Sequence, residues 1–306
     1  MTRNFSRTLS LLILFFLCHS FSEARQEIVA VQSVRVAPYE EAIKGFKNVC
    51  DVKIKKLVLS ELEGTDVSEK INEIRPDMVL AIGMDALSRV KMIEHIPVVY
   101  LMLLNPQSVV SGEKNITGVS MNIAQERQLR AFLEALPDLN SIGLLYDPDR
   151  TGYLAENVRE AAREIGINLI AKEVHRSSDV PLLIKDMKGK IDAFWMLPDL
   201  TVITPETVEY LLLFSLENTV PILTFAKKYV ESGALMSVGI DAFDIGTQAG
   251  EMAEKILSGR DVKDVQRVDA RKAVISINLK VAGKLGVAID EKVIRRARII
   301  NPGAVR

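Results

Sequence analysis

Short runs of uninterrupted apolar residues recur along the chain, each followed by a turn and then by a stretch whose apolar positions repeat every three or four residues. The runs are Ile28 to Val31, Met78 to Ile82, Val98 to Met102, Ile142 to Tyr146, Phe194 to Leu197, Ile222 to Phe225 and Ala234 to Ile240. Continuous rather than alternating apolar character predicts strands buried on both faces, as in a parallel sheet covered by helices. Between them, Tyr39, Ile43, Phe46 and Cys50 fall on one helical face, as do Leu129, Phe132, Leu133 and Leu136, and again Ala249, Met252, Ala253, Ile256 and Leu257. This alternation of strand and helix predicts an α/β fold with doubly wound parallel sheets.

The pattern starts over midway. A helix from about Ala124 to Leu136 ends at Pro137-Asp138-Leu139-Asn140, and a fresh strand-turn-helix series begins at Ser141. Arg75-Pro76-Asp77 leads into the run at Met78 much as Lys190-Ile191-Asp192 leads into the run at Ala193, with an acidic residue at the turn each time. Two similar lobes joined near residues 120 to 124, with a cleft between them, follow from this repetition.

The first residues belong to a different category. Arg3 and Arg7 precede an apolar run from Leu9 to Phe21 that is short for a membrane span, and Ser22-Glu23-Ala24 places small residues at a cleavage site. A secretory signal cut after Ala24 is expected, with lipidation at Cys18 disfavoured by Leu17 before it. The mature chain then holds Cys50 alone and forms no intramolecular disulfide. Export without disulfides fits a bacterial periplasm.

Composition narrows the function. Of the 306 residues, 48% are apolar and 26% charged, and the formal net charge is −1, so the chain is that of an ordinary globular protein with no general electrostatic attraction for nucleic acid. Catalytic constellations are missing. His95 and His175 are the only histidines after Ala24, which leaves no His/Cys metal cage. Gly118-Val119-Ser120-Met121-Asn122 lacks the second glycine of a nucleophile elbow, and no glycine-rich phosphate loop follows a strand. No enzyme activity, cofactor or metal is expected.

Polar groups do gather at the strand ends, where a doubly wound sheet places its ligand crevice. Gln32 and Ser33 follow the first run, Gly83-Met84-Asp85 the second and Asn105-Pro106 the third. In the second series Tyr146-Asp147, Pro198-Asp199, Phe225-Ala226 and Gly239-Ile240-Asp241 occupy the same kind of position. Each acid has an alternative reading as a helix cap. Tyr39, Tyr146, Phe225 and Phe243 lie at junctions from which rings can clamp a flat or apolar ligand, whereas Trp195, inside a strand run, is expected in the core. The candidate ligand-binding set is therefore Gln32, Ser33, Tyr39, Gly83, Met84, Asp85, Asn105, Tyr146, Asp199, Phe225, Asp241 and Phe243.

Several stretches resemble a known family: Pro76 to Gly83, Asn115 to Ser120, Gly233 to Asp241 followed by Asp244-Ile245-Gly246, and the tail Ile277 to Val287. In order and extent they are similar to the substrate-binding proteins of ABC uptake systems of the tryptophan- and tyrosine-binding type. The resemblance implies a type 1 periplasmic binding protein fold with three crossovers, lobe one covering about 25–120 plus 242–270 and lobe two 121–241 plus 271–306. It also implies a monomer that captures a small solute, closes about its hinges and delivers it to an inner-membrane permease, meeting the ATPase only indirectly. An extracytoplasmic sensor that presents its closed form to a receptor kinase is the alternative role. Where the family usually carries an acid before proline this chain has Asn105, a neutral amide that both donates and accepts hydrogen bonds. Its paired tyrosines after the Asp241 position are here Ala242-Phe243. The solute expected is an amino acid or a related aromatic or apolar compound.

Overall fold

The structure, a computed structural model, describes residues 26–62 and 66–300. The expected signal segment lies outside the described residues. From the N-terminal side the chain runs through β1 (Glu27–Gln32), α1 (Ala37–Lys47), β2 (Lys53–Val58), α2 (Val67–Ile74), β3 (Met78–Ile82), α3 (Met84–Val90), β4 (Val98–Leu101) and β5 (Ile116–Ser120). It continues with α4 (Gln125–Ala135), β6 (Ser141–Tyr146), α5 (Pro148–Ile165), β7 (Asn168–Glu173), α6 (Val180–Lys185), β8 (Ala193–Met196), α7 (Pro205–Asn218), β9 (Ile222–Thr224), α8 (Lys227–Ser232) and β10 (Met236–Ile240). Last come α9 (Ala242–Leu257), β11 (Val268–Asp269), β12 (Ala273–Ile277), α10 (Leu279–Leu285), α11 (Glu291–Arg296) and β13 (Arg298–Ile299).

Two sheets result. The first has six strands in the order β11-β5-β4-β3-β1-β2, all parallel, and the second has seven in the order β13-β12-β10-β9-β8-β6-β7. In the second, β12 runs antiparallel to β10, pairing Ile240 with Ala273 and Met236 with Ile277, so that sheet is mixed where a purely parallel one was expected. Each sheet is the centre of its own α/β lobe.

All the apolar runs predicted from the pattern are strands, and they are the central ones. β1, β3 and β4 bury nearly every side chain because helices cover both faces. The pattern missed β5, β11, β12 and β13, and also β2 and β7, whose sequences KIKKLV and NLIAKE carry lysines among exposed or half-buried positions. Both are edge strands, and charged side chains there oppose pairing with other chains.

The expected repetition has a physical basis. Asp77 accepts a hydrogen bond from the N–H of Glu27 at 2.9 Å, fastening the start of β1 beside β3. Asp192 does the same for β6, accepting from the N–H groups of Asn140 at 3.0 Å and Ser141 at 2.8 Å. Burial alone would push the Asp192 carboxyl up, but these donors and the Ser141 hydroxyl hold it below its ordinary value. Trp195 is fully buried and meets Phe132 edge to face at a centroid distance of 5.1 Å, which puts it in the core of the second lobe.

The chain passes between the sheets after β5, after β10 and after β11. The second passage returns α9 to the first lobe, where Ile245, Ala249, Met252, Ala253 and Ile256 join the core cluster that contains Ile43 and Phe46 of α1. Glycine makes this packing close. A methyl group at Gly45 would lie 1.9 Å from the Phe243 carbonyl oxygen, and one at Gly246 would lie 1.8 Å from that of Ala42.

Candidate functional site

Every passage between lobes leaves from the carboxyl end of a strand, at Ser120, Ile240 and Asp269. The carboxyl edges of both sheets therefore border the crevice, where an open α/β sheet holds its ligands. The passages are tied to one another. Ser120 Oγ donates to Asp269 Oδ1 at 2.5 Å and accepts from the Asn122 N–H at 3.0 Å, while Arg127 donates to the Arg271 carbonyl at 3.1 Å. Asp241 caps α9 by accepting from the Asp244 N–H at 3.2 Å.

In the first lobe the structure gathers several predicted residues. Gly83, with φ of +92°, lets the chain turn from β3 directly into α3. Its open side is filled by two others, since a Cβ there would lie 2.4 Å from Tyr39 Oη and 2.6 Å from Ser33 Oγ. Ser33 Oγ accepts from the N–H of Ala86 at 3.0 Å, so one of the amides that open α3 is already used inside the protein. Burial raises the Tyr39 hydroxyl above its ordinary pKa and the charge of Asp85 adds to the effect, which keeps the phenol neutral and able to donate. Met84 is half-buried and Asp85 exposed beside this group.

Gln32 is fully buried at the end of β1, with Nε2 donating to Glu40 Oε1 at 3.1 Å. Glu40 is in turn paired with Lys56 on β2 at 2.5 Å, and hydrogen bonds from Lys56 and Gln32 lower its carboxyl below the usual range. The Gln32 Oε1 atom is buried and has no partner among the described residues. Asn105, in the loop after β4, is half-buried in left-handed backbone with φ of +47°, and its carbonyl accepts from the N–H of Ser108 at 3.1 Å and the Ser108 hydroxyl at 2.9 Å.

The second lobe buries two of its predicted residues, Tyr146 and Asp199, and leaves Phe225 and Asp241 half-buried. Asp199 is 1% exposed and both of its oxygens are engaged. Oδ2 accepts from the Asp147 N–H at 2.7 Å and from the Thr151 hydroxyl, and Oδ1 accepts from the N–H groups of Thr201 at 2.8 Å and Val202 at 3.0 Å. Asp147 closes the network. It caps α5 through the Asp149 N–H and accepts from the Thr201 hydroxyl at 2.6 Å, which together hold its carboxyl low against the opposing effect of burial. The arrangement clamps the loops after β6 and β8 to each other. Sequence reasoning placed Asp147 and Asp199 at strand ends but missed Thr151 and Thr201; the turn sequences Asp147-Pro148 and Pro198-Asp199, both rich in capping groups, were the available signal.

Tyr146 is likewise engaged, accepting from Arg159 at 2.7 Å, donating to Glu173 at 3.1 Å and lying under the Arg159 guanidinium. Phe225 packs edge to face on Tyr229 at 5.4 Å. Asp241 lies 3.5 Å from an Arg298 nitrogen in addition to its capping role. Phe243 has its backbone against Gly45 and its side chain among the exposed large hydrophobic residues.

A pair of α/β lobes joined through their carboxyl edges, with a polar and aromatic cluster on one of those edges, defines a two-lobed binding protein. A family profile described as ABC transporter substrate binding protein matches residues 40–300, and the chain belongs to that family. It is similar to a protein of Clostridioides difficile named tyrosine-binding protein, 25% identical over 246 residues that cover 77% of this chain and 71% of the relative. Among solved structures it resembles the ligand-free, open form of a substrate-binding protein with adhesive properties from Clostridium difficile, at 21% identity and a TM-score of 0.79 over 90% of this chain and 99% of that one. It also resembles an ABC domain in complex with L-Trp from Streptococcus pneumonia, at 23% identity and a TM-score of 0.66 over 90% of this chain and all of the other.

Proteins of this family bind small solutes for ABC transporters outside the cytoplasm and are not enzymes. Among the described residues no helix is long and apolar enough to cross a membrane, and no group of His, Cys, Asp and Glu is arranged to hold a metal ion.

Proposed function

We propose that the protein is a periplasmic solute receptor for uptake, with an aromatic amino acid or a closely related aromatic or apolar compound as its solute. The observation that carries this reading is the cluster of Ser33, Tyr39 and Gly83 on the carboxyl edge of the first lobe, where a neutral phenol and a hydroxyl flank a glycine whose missing side chain leaves room for them. Relatives named for tyrosine and solved with L-Trp support the solute class. In this reading residues 1–24 are removed on export, lobe one comprises about 25–120 plus 242–270, and lobe two comprises 121–241 plus 271–306.

Closure supplies the signal. A solute touching both carboxyl edges lowers the free energy of the closed arrangement only, and the permease reads that arrangement. Asn105 offers a neutral amide to the solute, with a half-buried position beside the loop after β4. The solute meets one protein copy, and the permease docks on the closed pair of lobes.

The test is calorimetry and thermal melting of the chain from Arg25 onward with L-tyrosine, L-tryptophan, L-phenylalanine and their deaminated acids. Binding confined to the native state raises the melting temperature in proportion to ligand excess. Saturable binding of at least one of these compounds, lost when Tyr39 is changed, is expected. No rise with any of them would refute the proposed solute class.

A further inference from the structure

We propose that the second lobe carries another site, built on residues other than the Ser33, Tyr39 and Gly83 cluster, that takes a small organic polycarboxylate. A cavity of about 580 Å³ lies between α4 and the β12–β13 edge of the sheet, within the size range of small-molecule sites. Four arginines line it. Arg127 and Arg130 come from α4, Arg296 from the end of α11 and Arg298 from β13, with Glu134 the one acid among the lining residues. Val238, Ala273 and Ile275 supply an apolar floor.

The convergence of charge is the point of the argument. Guanidinium groups around one cavity repel one another, and partial neutralisation is all that the protein provides. Glu134 pairs with Arg296, and Arg130 pairs with Glu126 at 2.8 Å. Arg298 meets Asp241 only at 3.5 Å, and Arg127 has no carboxylate partner among the described residues, its hydrogen bond going to the Arg271 carbonyl. Each guanidinium has five N–H donors, and the bonds just named engage only a few of them. Their planar fork matches a carboxylate two bonds at a time. The ligand that fits has two or three carboxylates to bridge arginines on opposite walls and a short hydrocarbon body to lie on the floor.

This site stands on different residues from the proposed solute cluster, so each can fail without the other. Citrate is the probe, with acetate as the single-carboxylate control, titrated calorimetrically into the chain from Arg25 onward at an ionic strength held constant with sodium chloride. The expected result is one saturable citrate site, little binding of acetate, and citrate affinity reduced about tenfold or more in an Arg127→Gln/Arg298→Gln double variant. Arg130→Gln, which leaves the contacts to the crossovers intact, is expected to weaken citrate as well. Absence of saturable citrate heat, or an affinity that none of these substitutions changes, overturns the proposal.

Discussion

Arg271, in the third passage between the lobes, places its Nε 3.1 Å from each oxygen of Asp244, near the start of the helix that follows the second passage. Arg271 also reaches Glu251 at 3.0 Å, and Lys272 reaches Asp244 at 3.0 Å. The Asp244 side chain is 4% exposed and that of Arg271 43%. Burial alone would raise the Asp244 carboxyl, yet the hydrogen bonds from Arg271 and Lys272 outweigh it and hold the group below its ordinary value of 3.8. Two of the three connections are thus fastened to each other by charge on the side of the first lobe.

A carboxylate whose folded pKa is depressed contributes stability above its unfolded pKa, and loses it as pH falls toward the folded value. The stability difference between the protein and its Asp244→Asn variant should therefore be complete at neutral pH and shrink as pH drops below 3.8. Arg271→Ala should cost about 1–2 kcal/mol at pH 7, less than a fully buried pair because the arginine is solvated. Urea unfolding at a series of pH values measures both, and a pH-independent difference would contradict the ion-pair account.

Gly246→Ala should be severely destabilising, by about 2–3 kcal/mol, because its methyl group would overlap the Ala42 carbonyl and force α9 away from α1. Gly152, inside α5, provides the contrast: a Cβ there meets nothing within 4 Å. Gly152→Ala should stabilise the protein by about 0.5–1 kcal/mol, the helix preference for alanine. Opposite shifts in the urea midpoint of the two variants check the packing.

Asp199→Ala should act on stability rather than on solute binding. Removing the carboxylate leaves the amides of Asp147, Thr201 and Val202 without their acceptor in a buried place, a cost of about 3 kcal/mol. The affinity of the molecules that remain folded should change by less than about threefold. A large affinity loss with an unchanged melting curve would instead make Asp199 a direct contact.

Gly83→Ala should weaken solute binding by about tenfold or more and also lower the melting temperature, since the new methyl group displaces the Tyr39 and Ser33 oxygens and sits at a φ of +92°. Tyr39→Phe is the gentler form of the same test, removing one hydroxyl while keeping the ring. Calorimetry with L-tyrosine and L-tryptophan separates the two effects from stability measured by melting.

The candidate site was partly legible because strand ends are easy to find from apolar runs. Gln32, Ser33 and Gly83 follow such runs directly, and all lie at the carboxyl edge of the first sheet. Whether a strand-end acid faces a ligand or turns inward was not legible, because the same Asp serves either purpose at the same spacing. Asp199 became a clamp because Thr151 and Thr201, 48 and 2 residues away, are close enough to use up its oxygens. The cavity between α4 and the β12–β13 edge left no local pattern, since Arg127 and Arg130 are far along the chain from Arg296 and Arg298.

Taken alone, the amino-acid order determined the central strands and the repetition of two α/β halves, since burial on both faces demands unbroken apolar runs wherever a helix-covered parallel sheet is to form. Tertiary structure decided the rest: the return of α9 to the first lobe, the antiparallel entry of β12 and the internal use of Asp199 and Tyr146. Those outcomes depend on partners dozens to hundreds of residues apart, and only folding brings a donor within hydrogen-bond reach of its acceptor.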